Sequence, residues 1–302
     1  MAAMAEPAER PIGMAIVYGG LAALIWGAWP VVSRFGVQQT LTAYDVTALR
    51  FAVAGLVLLP LVWRHGFGRV GWFGALVLAA GAGVPYVLIT VSGLALAPAG
   101  HAGVIIPSCM LTLSMIGGWL WLGDRPGRVR LTGVAVILSG VALTGWRGLS
   151  GGGETAWIGD LMFLASGLLW ATYTVASRRW SVEPLHATAL VSVLSMMLYL
   201  PIYLLFCEPR VFDAPATEIV VQAGFQGLFA GILALLFYTR AVAILGAARG
   251  ALFAALVPGL AVLLAFPLLG ESPSALELVG VVAVTVGMVL ALGLLRGPRR
   301  IG

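Results

Sequence analysis

The sequence predicts an all-α integral membrane protein with about ten transmembrane helices, built as two inverted five-helix repeats. Three observations carry this. Hydrophobic residues make up 61% of the 302 positions and charged residues 10%, against roughly 25% charged in a typical soluble domain. With a mean hydropathy of +1.03, lipid must be the solvent for most of the chain, because no soluble fold of this length could cover that much apolar surface. The apolar residues fall in runs close to the ~20 needed for a helix to cross the hydrocarbon core, without the period-two alternation of a barrel strand. Finally, the same markers occur twice.

Taken in order, the apolar runs place helices at Met14–Phe35, Tyr44–Trp63, Gly71–Val91, Ala99–Trp121 and Leu131–Trp146. A Gly/Ser-rich joint follows at Gly148–Thr155, then helices at Trp157–Ser177, Leu185–Cys207, Thr217–Ala241, Ala247–Leu268 and Ala275–Leu295. The two repeats are accordingly residues 13–147 and 156–296. Their markers are specific. Trp26 and Trp170, Ser33 and Ser177, and Arg34 and Arg178 are each separated by 144 positions. Leu122-Gly123-Asp124-Arg125-Pro126 closes the fourth helix, and Leu269-Gly270-Glu271-Ser272-Pro273 closes the ninth, 147 positions later. One loop change accounts for the drift of three. Because five is odd, the second half must run upside-down relative to the first.

All 17 basic residues are arginine. With the N-terminus inside, twelve arginines fall on cytoplasmic segments and only Arg34, Arg147 and Arg210 outside, leaving aside Arg50 and Arg240 within spans. The positive-inside rule then places both ends in the cytoplasm. Loop arginines near a membrane explain the basic balance, and no nucleic-acid partner is expected. Cys109 and Cys207 both lie inside apolar runs, so neither a disulfide framework nor a metal site is expected. Enzyme signatures are missing: no His/Cys/acid cluster at ligand spacing, no phosphate loop and no Ser-His-Asp arrangement. No cofactor is expected.

The acidic residues lie at span ends or in loops, with none near the middle of a helix. A proton antiporter for cationic drugs needs a carboxylate at membrane depth, so the pattern favours a facilitator or exporter of neutral or zwitterionic solutes. His101, near the start of its span, is the titratable candidate for proton linkage, or else a polar contact at a helix end. Arg50 lies about six residues inside the second span. It snorkels to the outer surface, pairs with Asp45, or binds a substrate carboxylate. The best pocket material is aromatic and hydroxylic: Trp26, Trp29 and Ser33 in the first helix, Tyr86 and Thr90 in the third, His101 in the fourth, Trp170 and Tyr173 in the sixth, and Tyr238 in the eighth. Trp26 and Trp170 lie too deep for interfacial anchors. Pro107 and Pro258 are the expected hinges, each freeing a backbone carbonyl inside a span, whether to line a cavity or only to kink a packed helix. Pairs such as Gly133 with Gly140 and Gly280 with Gly287 serve close helix packing.

With Trp26 and Trp170, Ala48-Leu49-Arg50-Phe51, Tyr238-Thr239-Arg240-Ala241, and Pro258 followed by Leu269-Gly270-Glu271, the chain resembles the drug/metabolite transporter superfamily in its ten-helix form with two EamA-type repeats. The resemblance runs from about Gly13 to Leu295 and is nearest to bacterial exporters of aromatic and other amino acids. It implies a cavity between the repeats lined by helices one, three, four, six, eight and nine. The chain departs from the pattern in its first half, where Asp124 stands for the usual glutamate and Pro107 lies about one turn farther from it than Pro258 lies from Glu271. The resulting expectation is a monomeric exporter or facilitator of neutral amino acids and related metabolites, working by alternating access. Alternatives are another cargo (nucleotide sugar, purine or drug), a membrane scaffold, or a lipid-acting enzyme. Phosphate-bearing cargo would want more cavity-facing cations than Arg50 and Arg240 supply.

Overall fold

The computed structural model describes residues 12–149 and 155–293. Among these the regular structure is helical, without strands. The helices are α1 (Ile12–Val37), α2 (Ala43–His65), α3 (Gly71–Ala82), α4 (Val84–Leu96), α5 (Ala99–Leu122), α6 (Arg128–Leu149), α7 (Ala156–Arg179), α8 (Pro184–Phe206), α9 (Ala216–Gln222), α10 (Ala234–Leu245), α11 (Ala247–Ala255), α12 (Val257–Leu269) and α13 (Ala275–Ala291). A π-helical stretch, Ala223–Leu233, joins α9 to α10. Ten spans result: α3 with α4 forms the third, α9 through α10 the eighth, and α11 with α12 the ninth. Among the described residues nine are long and apolar enough to cross a membrane, and the tenth, α13, has 17 residues. The third span reaches Leu96 and the eighth Leu245, beyond the expected Val91 and Ala241. Most of the expected joint at Gly148–Thr155, and the far end of the expected tenth helix, lie outside the described residues.

Helix ends follow local chemistry. Thr42 and Asp45 form a capping box at the start of α2, and Ser274 and Glu277 form another at α13. The repeated Leu-Gly-acid-x-Pro motif is a helix stop: Gly123 and Gly270 adopt the left-handed conformation (φ 76° and 69°) that ends α5 and α12. Each glycine turns the chain so that the acid after it points back at the bundle. Interruptions also have causes. Gly83, two residues before Pro85, divides α3 from α4; Leu256, two before Pro258, divides α11 from α12. Pro107, by contrast, sits inside an unbroken α5.

Packing is by small residues. A Cβ on Gly133 would come within 2.4 Å of the Ala291 backbone, and one on Gly140 within 2.7 Å of the Gly280 carbonyl. Spans five and ten therefore meet backbone to backbone. The contacts obey a two-fold relation: span one packs on spans eight and nine as span six packs on three and four, while spans two and seven, four and nine, and five and ten each pair with their own mate. Two halves of five helices related this way are inverted repeats whose axis lies in the membrane plane. Large apolar side chains such as Leu56, Trp63, Leu205 and Leu263 remain exposed on the outside, where lipid would cover them. The two ends of the bundle are named below after the acids found there, the Glu271 end and the Asp124 end.

Candidate functional site

A cavity of about 250 Å³ lies between the repeats. Five of its walls are aromatic: Trp26 and Trp29 from α1, Tyr86 from the first turn of α4, Trp170 from α7 and Tyr238 from α10. Ala102, Gly103 and Pro107 of α5 and Ala254 and Val257 of the ninth span complete much of the remainder. The break at Gly83 matters here, because it brings α4 in just ahead of Tyr86. Trp29 and Tyr86 stack with centroids 5.7 Å apart and planes 20° from parallel, Tyr86 meets Trp170 at 4.7 Å, and Trp26 meets Tyr238 at 5.2 Å. These are offset or tilted contacts of the favourable kind. Trp26 and Trp170, which mark the same place in each repeat, thus face one space.

Behind the rings runs a buried polar chain. Trp29 Nε1 donates to Gln226 Oε1 at 2.7 Å, Gln226 Nε2 donates to Ser33 Oγ at 2.8 Å and to Gln222 Oε1 at 3.1 Å, and Gln222 Nε2 donates to the Val32 carbonyl at 2.7 Å. Gln222 and Gln226 come from the α9–π segment, and a π-helical stretch of this kind often marks a functional place. Neither glutamine stands among the sequence-derived candidates, although two amides one turn apart in an apolar span are a visible signal. The Arg50 guanidinium lies 5.4 Å over the Trp29 ring, and its Nη1 has no hydrogen-bond partner among the described residues. The alternative pairing with Asp45 is not realised. Asp45 completes its cap and accepts from the Tyr203 hydroxyl (2.6 Å) and from the backbone N–H groups of Arg210 and Val211.

Five of the expected site residues stand off this cavity. Ser33 belongs to the glutamine network and also donates to the Trp29 carbonyl. Thr90, fully buried, donates to the Tyr86 carbonyl, the ordinary resort of a helical threonine. Tyr173 packs behind Trp170 at 5.5 Å. Pro258 is buried just past Val257 at the α11–α12 break. His101 lines a separate cavity of about 210 Å³ beneath the Ser272-Pro273 turn, together with Glu271 and Glu277. Its Nδ1 is 2.9 Å from Asp160 Oδ1 and its Nε2 3.2 Å from Glu277 Oε1. A His–acid cluster that linear spacing hides is therefore assembled by the fold.

Each end of the bundle carries an ion pair made from the repeated markers. At one end Arg34 pairs with Glu271 at 2.5 Å, with 16% and 18% of the two side chains exposed. Arg34 also donates to the Leu94 and Ala97 carbonyls where α4 ends, and Glu271 accepts the Ala99 N–H at 2.9 Å. Spans one, three, four and nine are thereby tied together. Burial raises the Glu271 carboxyl above its ordinary range, and Arg34 pulls it part of the way back. At the other end the repeat-related Arg178–Asp124 pair, also 2.5 Å, is about half exposed.

Known proteins share this architecture. A solved crystal structure, 24% identical in sequence, matches with a TM-score of 0.62 and covers 92% of this chain and 97% of its own. The uncharacterized inner membrane transporter YedA of Escherichia coli K12 is 25% identical over 290 residues, 91% of this chain and 90% of the relative. The aromatic amino acid exporter YddG of Ancylobacter novellus is 26% identical over 243 residues, 74% and 77% of the respective chains. The model of the EamA-like transporter family matches residues 13–146 and again residues 157–293. With ten apolar spans in two-fold arrangement and both halves matched, the chain is a multi-pass membrane protein of the EamA-like transporter family.

Proposed function

We propose that the protein moves neutral amino acids, aromatic ones foremost, and related metabolites across a bacterial inner membrane by alternating access. The observation that carries this is the cavity walled by Trp26, Trp29, Tyr86, Trp170 and Tyr238. At about 250 Å³ it falls just under the roughly 300–1,000 Å³ typical of drug-sized sites, a size suited to one small metabolite with an apolar ring. The name of the Ancylobacter relative supports the same cargo. Arg50, whose guanidinium lies over Trp29 with a buried, unpartnered Nη1, stands behind the cavity wall and is the group we assign to the substrate carboxylate once that wall moves.

The arginine distribution supports placing both termini in the cytoplasm, with the Glu271 end outside. In that orientation the Arg34–Glu271 tie is the contact that would hold the outer end closed; the repeat-related Arg178–Asp124 pair is also formed, but about half exposed, and would hold the inner end more weakly. The unbroken α5 and the broken α11–α12 give the fourth and ninth spans different bending points, near Pro107 and before Pro258. One chain supplies both halves, so a monomer suffices.

The test is uptake of labelled phenylalanine, tryptophan, leucine, glutamate and uracil into proteoliposomes of the purified chain. Phenylalanine uptake that is saturable, with a KM raised in Trp170→Ala, supports the proposal. No uptake of any amino acid, in vesicles shown to hold both orientations of folded protein, would sink the cargo assignment.

A further inference from the structure

The cluster of His101, Asp160 and Glu277 poses a counting problem. Both ring nitrogens of His101 face carboxylate oxygens, Asp160 at 2.9 Å and Glu277 at 3.2 Å. An ionised carboxylate only accepts, and a neutral imidazole carries one N–H. Two nitrogen-to-carboxylate hydrogen bonds therefore need one proton more than neutral histidine and two carboxylates provide. That holds whichever tautomer is drawn, and whether the extra proton resides on the ring or on a carboxyl. Glu277 cannot turn away at little cost, because its Oε2 accepts the Ser274 N–H in the α13 cap at 2.5 Å.

We propose that this cluster is a proton-binding site at the Glu271 end, and that closure of that end takes up one proton, which opening releases. The location supports it. His101 begins α5, Asp160 lies in the first turns of α7 and Glu277 in the first turn of α13, so the site joins spans four, six and ten and can form only while their ends are together. His101 is 5% exposed, while Asp160 and Glu277 keep 13% and 12%, beside the cavity under the Ser272-Pro273 turn. A proton therefore has a route in. The charged groups facing the site are few. Asp160 comes from α7, Glu277 from α13, and Glu271 from the turn after α12, the last already paired with Arg34 of α1. Among the described residues three carboxylates thus meet one fixed cation, and an added proton reduces that excess of negative charge.

The site also breaks the symmetry of the repeats. Shifted by the 144–147 positions that relate the halves, Asp160 and Glu277 fall on Gly13–Ile16 and Arg130–Gly133, which contain no acid. The Arg34–Glu271 tie has a mate at the opposite end; the carboxylate pair has none. Proton uptake on closing is accordingly a property of one end, which makes the exchange between the two states depend on pH on that side. This inference rests on the proposal that the two ends open alternately, but not on the cargo.

The test is hydrogen exchange, read by mass spectrometry, of the full chain in nanodiscs without substrate. It follows amides in 99–106, 156–163 and 275–281 between about pH 7 and pH 9, above the ordinary imidazole range of about 6.5, after correction for intrinsic rates. One linked proton makes the opening of these segments rise about tenfold per pH unit. His101→Gln should flatten that slope. Asp160→Asn gives the sharper test, because an asparagine amide can donate to one ring nitrogen while the other donates to Glu277. The cluster is then satisfied without the extra proton, so this variant should stay closed and lose the pH dependence. A flat profile in the native chain overturns the proposal. So does a slope that survives Asp160→Asn, which would place the proton on Glu271 instead. Failure of amino-acid uptake leaves both readouts unaffected.

Discussion

The strongest mechanical prediction concerns Arg34. In Arg34→Gln, Glu271 loses its cation and the Leu94 and Ala97 carbonyls lose their donor. Removing one member of a buried ion pair costs about 3–5 kcal/mol. Exposures of 16% and 18% put this pair toward the low end, so about 3 kcal/mol is expected. That corresponds to roughly a hundredfold shift toward the state open at the Glu271 end, at about 1.4 kcal/mol per factor of ten. The repeat-related variant Arg178→Gln removes a pair whose members are 54% and 50% exposed. Such pairs contribute about 0.2–1 kcal/mol, so the shift should be no more than about fivefold. The assay is labelling of a cysteine placed at the cavity-lining Ala102, in a Cys109→Ser, Cys207→Ser background, with a membrane-impermeant thiol reagent applied from the Glu271 side. A rate that rises about a hundredfold in Arg34→Gln and changes little in Arg178→Gln supports the reasoning. Equal effects of the two substitutions would refute it, since the asymmetry of burial would then have no bearing on closure.

Other consequences follow from the cavity and the packing. Trp170→Ala should raise the phenylalanine KM about tenfold, the combined loss of apolar area and of the ring contact with Tyr86, as measured by concentration-dependent proteoliposome uptake. If Arg50 receives the carboxylate, Arg50→Lys, which keeps the charge but loses the forked guanidinium held over Trp29, should weaken phenylalanine competition more than competition by phenethylamine, which has no carboxylate. Gln226→Leu strands the Trp29 N–H and the Ser33 hydroxyl contact, so it should cost about 1–3 kcal/mol, seen as a lower midpoint in a detergent-solubilised melt. Gly133→Val should do at least as much, because its side chain would meet the Ala291 backbone and push spans five and ten apart.

Much of the architecture was legible without coordinates because the signals are local. Span length follows from bilayer thickness, a property of each short stretch by itself. The Leu-Gly-acid-x-Pro closings could be read as repeat markers because a helix stop needs a particular residue: Gly123 and Gly270 take the left-handed turn that other residues resist. What the acids after them do was not legible, since Arg34 and Glu271 are far apart in sequence and meet only when spans one and nine pack. Pro107 and Pro258 look alike as residues, yet only the second stands at a break, because neighbouring helices decide whether a freed carbonyl opens the helix.

The aromatic residues divide in the same way. Depth in the span singled out Trp26 and Trp170, and both face the cavity. Ser33, Thr90 and His101 were equally attractive as polar residues in apolar runs, but a hydroxyl or imidazole there takes whichever partner packing supplies. For the first it is Gln226, 193 positions away; for the second its own helix; and for the third Asp160 and Glu277, 59 and 176 positions away. By itself the sequence determined solvent, span number, inversion and the ring-bearing helices, since these depend on composition and short-range spacing. Tertiary structure alone decided which polar groups meet, because in a dry interior a buried donor takes the acceptor that packing brings within reach, and chain distance says nothing about which one that is.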